Sequence, residues 1–249
     1  MAAATAGEGG RSAKRTKLDF VDTITVLVGA NEARFMLHKN VVCATSDFFR
    51  AACDGNWKEA TDKVIRVPEA EPSVFQFYLA WLYTDRIDLD QNFAIKGQYD
   101  AVELSQTYLS LLNAYIFGDI IQDVAFRNAL IDKMLVLSKQ TDKWPHPREA
   151  AKLCQSVSIG SKMVRLLADG YACTFSAETF SRELPNLPAE LIKLIAALSN
   201  EERYMSNAER RPLGRLKGFY HEAAKQGRAS STNTTEGQSV QIRTTAGGT

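Results

Sequence analysis

Cys43, Cys53, Cys154 and Cys173, with His38, His146 and His221, are the side chains of this 249-residue chain best suited to redox, nucleophilic or metal chemistry. Their spacing does not support it. No two cysteines form a C-x-x-C pair, and the histidines are too dispersed for a zinc signature. The cysteines read instead as small core residues, since free Cys is among the most buried types. A nucleophile elbow of the form G-x-S-x-G is absent, as is a Walker sequence. The run GEGGRS at 7–12 resembles a phosphate loop only superficially, because it follows no strand. Asp85, Asp88 and Asp90 alternate with Ile87 and Leu89, the pattern of a solvated edge rather than an acid/base pair. The expectation is no catalysis, no cofactor and no metal.

Charge narrows the partners. Residues 18–202 carry 25 acidic and 18 basic side chains, whereas residues 1–17 and 203–249 are both net basic, so an overall charge of +1 hides an acidic body between basic ends. Phosphate repels an acidic body, so nucleic acid is an unlikely partner for it. Composition is that of an ordinary globular protein, with 45% apolar and 24% charged residues, enough to bury a core. No window reaches eighteen consecutive apolar residues, so no membrane span is expected. The N-terminal residues lack the apolar stretch of a secretory signal, which places the expected location inside the cell, in nucleus and/or cytoplasm.

The elements that position these side chains change character along the chain. DTITVLV (22–28) is β-branched and ends at Gly29, a strand with a turn, and Ala33–Met36 supplies the return. His38–Ala44 is a short helix, and Ser46 is placed to cap a second, closed by Gly55. Val64–Val67 is a short strand stopped by Pro68. Pro72 opens a helix with Phe75, Tyr78, Leu79, Trp81 and Leu82 at helical spacing. From Val102 the pattern is wholly helical. Gly118 is expected to close one helix and Asp119 to cap the next, to about Leu137. Further helices are expected from Pro147 to about Ile159, from Ser161 to about Ala172, and from Pro188 onward. The expected organisation is a disordered tail at 1–17, a mixed α/β unit at 18–137, a helical extension at 138–205, and a basic, mostly disordered tail at 206–249.

Four short stretches, in order, carry a resemblance. Phe35-Met36-Leu37-His38-Lys39, Ser46-Asp47-Phe48-Phe49-Arg50, Trp57-Lys58-Glu59-Ala60 and Trp81-Leu82-Tyr83-Thr84 resemble the BTB/POZ domain over residues 18–137, closest to the short stand-alone BTB proteins common in fungi. The resemblance implies an α+β fold, a small sheet with a cluster of helices, followed here by an all-helical C-terminal extension. It implies a non-enzymatic protein–protein interaction module. Asp22 lies sixteen residues before His38, a wide spacing for the family, which places an expected insertion in VGANEAR.

The resemblance also assigns roles. The apolar-x-E step Trp57-Lys58-Glu59 and Tyr83 are candidates for docking a cullin scaffold, which would make the protein a substrate adaptor of a cullin-based ubiquitin ligase. Trp57 is either an exposed anchor or a cover folded back on the helix below it. Self-association as a homodimer is expected through Leu18, Phe20, Val21, Phe48 and Phe49. Asp22 and Lys39 resemble the acid and base that line a groove in dimeric members. Of adjacent Phe48 and Phe49, about 100° apart on a helix, one should enter the core. His38 is read as structural, its ring capping carbonyls, and Tyr83 as packing its ring with a wet hydroxyl. The client protein is unknown from sequence. Arg210, Arg211, Arg215 and Lys217 beside Phe219 and Tyr220 read as a solvated extension or as a site for an acidic partner. The alternative to an adaptor is a BTB-dimerised nuclear or chromatin-associated factor that uses this basic tail.

Overall fold

A computed structural model describes residues 21–54, 62–89, 100–201 and 218–223. Leu18, Phe20, Trp57, Glu59, the 1–17 tail and Arg210 to Lys217 lie outside the described residues. β1 (Thr23–Val28) alternates half-buried and buried positions, with Ile24, Val26 and Val28 facing the core. That period of two is what a strand with one covered face requires. β1 pairs antiparallel with β2 (Ala33–His38) from Thr23↔His38 to Val28↔Ala33, and parallel with β3 (Val64–Val67), giving the sheet order β2-β1-β3.

The span from Asp22 to His38 is a regular hairpin: six residue pairs run without a break, and the turn is only Gly29 to Glu32. Gly29 sits at φ 75°, and a Cβ there would come within 3.3 Å of the Ala70 carbonyl oxygen. Left-handed backbone and close approach together explain the glycine.

A parallel partner demands a crossover. It includes α1 (Lys39–Thr45) and α2 (Asp47–Asp54). Ser46, fully buried between them, caps α2 by accepting from the Phe49 N–H (3.2 Å), and its hydroxyl donates to the Ile121 carbonyl at 2.6 Å. α3 (Pro72–Thr84) starts at its proline and ends at Asp85, which adopts φ 56°. Its buried Phe75, Tyr78 and Trp81 meet Phe117 and Phe126, with the Trp81 and Phe126 ring centroids 4.9 Å apart. Asp85 and Asp88 are exposed, as a solvated edge requires.

α4 (Ala101–Ile120) and α5 (Val124–Thr141) depart from expectation at their junction. Gly118 does not end α4, and Asp119 does not cap α5. Helix α4 continues to Ile120, because Gly118 serves close packing: a Cβ there would lie 2.9 Å from Arg127 Cγ and 3.1 Å from Phe126 Cδ1. Gln122 takes the left-handed turn at φ 52°, and buried Asp123 caps α5 by accepting from the Phe126 N–H at 2.9 Å. Asp119 instead accepts from Arg127.

The extension is helical throughout: α6 (Pro147–Ser156), α7 (Lys162–Thr174), α8 (Ala177–Glu183) with a 3-10 turn (Leu184–Asn186), and α9 (Ala189–Glu201). α6 stops at Ser156, short of Ile159. α8, capped by Ser176, was not expected from the sequence pattern. His146 caps α6 by accepting from the Arg148 N–H, and Glu149 accepts from the His146 N–H in return. One continuous buried cluster runs from Ile24 through Leu112 and Met134 to Leu191 and Leu198. Among the described residues, no helix is long and apolar enough to cross a membrane.

Candidate interaction site

The first strand, the start of α1 and the end of α2 converge on a charged patch. Asp22 leads into β1 and Lys63 into β3, and the parallel register that sets Thr25 opposite Val64 brings the two together: Lys63 Nζ lies 2.7 Å from Asp22 Oδ1. The Asp22 carbonyl accepts from the Lys39 N–H at 2.9 Å. Lys39 Nζ reaches 3.5 Å from Asp54 Oδ1 and donates to the Cys53 carbonyl (3.3 Å) at the end of α2. The hydrogen bond from Lys63, joined by the field of Lys39, holds the Asp22 carboxyl below its ordinary pKa. Asp22 and Lys39 therefore lie in one cluster, but each has a closer partner of its own. Lys63 and Asp54 escaped the sequence reading. Only the pairing of β1 with β3 brings Lys63 here, and no local pattern announces that pairing.

Thiols lie beneath the patch. Cys43 Sγ donates to the Phe49 carbonyl (3.5 Å), and the two neighbouring thiols influence each other, which raises the pKa of Cys43 and lowers that of Cys53. All four cysteines are free, and Cys53 is buried. Among the described residues no cluster of His, Cys, Asp or Glu could hold a metal ion.

Val21, immediately before the patch, is 89% exposed, an apolar side chain at the surface. Phe48 is half-buried, its ring edge-on to Phe49 at 5.2 Å. Phe49 is 0% exposed, so it fills the core of its own protomer and has no surface to offer a second copy; as a dimer contact it is ruled out by burial. Phe48 also sits at the opposite end of α2 from Asp54, its N–H directed at the Ile121 carbonyl (3.4 Å). Six residues of helix separate the two, about 9 Å along the axis. The aromatic and charged candidates thus form two ends of one face rather than a single spot.

Tyr83, on the last turn of α3, stands 47% exposed with its ring edge-on to His38. Its hydroxyl accepts from the His38 N–H at 3.2 Å and lies 3.0 Å from Nδ1. No N–H of α1 is capped by the His38 side chain, and the Tyr83 hydroxyl, on an exposed side chain, is tied to the strand end. The bond fixes the tilt of an aromatic ring whose outer edge faces solvent.

A small antiparallel and parallel sheet, a crossover of short helices and a helix lined with buried aromatic rings define an α+β domain whose described surface carries apolar and charged side chains. The family model of the BTB/POZ domain matches residues 13–112. The chain thus contains a BTB/POZ domain, and that domain is a protein-interaction module.

Proposed function

We propose that the chain is a non-enzymatic adaptor that self-associates through its BTB/POZ domain and docks a cullin scaffold, bringing a client protein to a ubiquitin ligase. The observation that carries this reading is the surface running from Val21 through the Asp22–Lys63 and Lys39–Asp54 pairs to Phe48, an apolar and charged rim on a domain of the protein-interaction class. A two-fold interface repeats such a rim against itself, acid to base. Leu18 and Phe20, preceding Val21, extend the apolar part in sequence. For the scaffold, Trp57 and Glu59 are the docking candidates, and the half-exposed, oriented Tyr83 ring is the third.

Burial of Tyr220 weighs against the alternative of a chromatin-associated factor. A ring 1% exposed cannot stack on a base, which removes one aromatic from the basic tail. Light scattering of the full chain at micromolar concentration should give twice the monomer mass, and Val21→Glu should lower it. A monomer at high concentration removes self-association. Titration with cullin N-terminal domains should show binding that weakens about thirtyfold in Trp57→Ala while the melt is retained, a hot-spot loss of about 2 kcal/mol. No binding of any cullin by the wild type removes the ligase reading.

A further inference from the structure

Gly218–Ala223, a six-residue stretch that lies in neither a strand nor a helix, is held to the helical body almost wholly by side chains. Tyr220 is the anchor: its hydroxyl donates to Asp169 Oδ2 at 2.6 Å, and Asp169 is itself 0% exposed on α7. Arg165, one turn earlier, places Nε 3.4 Å from the same oxygen. Lys162, at the start of that face, donates to the Phe219 carbonyl (3.4 Å) and sits 5.9 Å over the Phe219 ring.

Glu222 is read three ways. Its carboxylate accepts from the Tyr115 hydroxyl of α4 at 2.6 Å and pairs with Arg127 Nη2 of α5 at 2.6 Å. Asn128 takes both sides of its peptide unit, Oδ1 accepting the Glu222 N–H (2.8 Å) and Nδ2 donating to its carbonyl (3.0 Å). One turn further along α5, Asp132 Oδ1 lies 2.9 Å from His221 Nε2. Hydroxyl, carboxylate, imidazole and backbone are thus each met by a matching group, on one face each of α4, α5 and α7. That is the arrangement by which folded domains read short peptides, a buried aromatic anchor with charge-assisted and main-chain bonds for specificity.

We propose that the cleft between α4, α5 and α7 is a recognition site for short peptides of the type aromatic-Tyr-x-Glu, occupied in cis by Phe219–Glu222, so that a partner carrying such a sequence binds by displacing the chain's own segment. The cleft holds Asp169 and the 12%-exposed Arg127, groups that are destabilising when a buried partner is withdrawn, which favours one occupant or another over an empty site. Tethering gives the cis segment a high effective concentration, so a free peptide meets the wild-type cleft already filled. This site is independent of the rim assigned to self-association.

The test uses the full chain with Tyr220→Ser and Glu222→Ser together, and the fluorescent peptide Gly-Phe-Tyr-His-Glu-Ala as probe, followed by anisotropy. The expected result is at least about tenfold tighter binding to the double variant than to wild type, with peptides carrying Phe for Tyr or Gln for Glu binding about tenfold more weakly. A folded double variant that does not bind the probe, or binds a scrambled peptide equally, overturns the proposal. Should the double variant fail to fold, Glu222→Gln alone keeps the Tyr220 anchor; enhanced probe binding by that folded variant supports the site. Loss of fold in both variants would overturn it too, by making the segment a fixed part of the core.

Discussion

Replacing Asp123 by alanine should cost about 2–3 kcal/mol of stability, and the structure says where each part originates. Asp123 is wholly buried at the turn into α5, with two bonds made by its carboxylate. Oδ1 accepts the Phe126 N–H at 2.9 Å, an N-cap whose loss costs about 1 kcal/mol. Oδ2 accepts from the Tyr78 hydroxyl at 3.0 Å, inside the core and far from water. A buried hydroxyl left without an acceptor costs about 1–3 kcal/mol. Thr45 lies against the same hydroxyl and can take over part of that bond, which holds the total near the lower end. Tyr78→Phe isolates the second contribution, so urea unfolding of the two single variants and the double variant should show a coupling of about 1 kcal/mol. At the usual slope for a chain of this size, the single Asp123→Ala change should lower Tm by about 4–10 °C. A loss below about 1 kcal/mol with additive single effects would refute the account of Asp123 as the joint between α3 and α5.

Three further outcomes follow. Asp22 has its pKa lowered by Lys63, so the pair stabilises the fold at neutral pH, and that contribution fades as pH falls through the Asp22 titration; NMR titration of the carboxyl should show it move up in Lys63→Met, and no movement would dismiss the pairing. Gly170→Ala places a Cβ 2.5 Å from the Trp144 ring, and overpacking of about 1–3 kcal/mol should outweigh the gain of up to about 1 kcal/mol in helix propensity, seen as a lower Tm; an unchanged or raised Tm would show that the indole shifts freely. Burial pushes the Cys154 thiol up to about 11, so its alkylation should be slow at pH 7 and accelerate as pH approaches that value, with a fast reaction at neutral pH as the contrary result.

What the chain reveals in advance divides by range. The alternation in Thr23–Val28, the cap at Ser46 and the prolines at 72 and 147 act within one turn or one strand, and each is where local chemistry places it. Gly118 was misread because a glycine that ends a helix and one that admits a neighbouring helix look alike until Phe126 and Arg127 are in position. The charged patch was half legible: Asp22 and Lys39 lie in one cluster, but Lys63 and Asp54 join it through strand pairing and crossover. Tyr220 and Glu222 were invisible as bound residues. Their partners stand 51 and 107 positions away in sequence, and nothing in a run of basic and polar residues signals a cleft built from α4, α5 and α7.

The extension should be needed for the stability of the domain it follows. α4 has one face in the BTB core, through Leu111, Leu112 and Phe117, and another against later elements. Ser105 donates to Glu149 of α6 at 2.7 Å, Tyr108 donates to the Lys143 carbonyl at 2.6 Å, and Tyr115 donates to Glu222. The family match ends at residue 112, in the middle of this one helix. A chain cut after Leu137 would strip those bonds and uncover Leu104 and Tyr108, which are 4% and 2% exposed in the full chain. At about 1.5–3 kcal/mol for each large apolar side chain, together with the severed buried bonds, the loss is comparable to the whole stability of an ordinary domain. Residues 18–137 alone should therefore melt at least about 10 °C lower than the full chain and bind a hydrophobic dye strongly. Adding residues 138–223 back on the same chain should restore both properties. If the isolated fragment instead melts with the full chain and leaves the dye dark, α4 is stabilised from its BTB face alone, and the extension is an appendage.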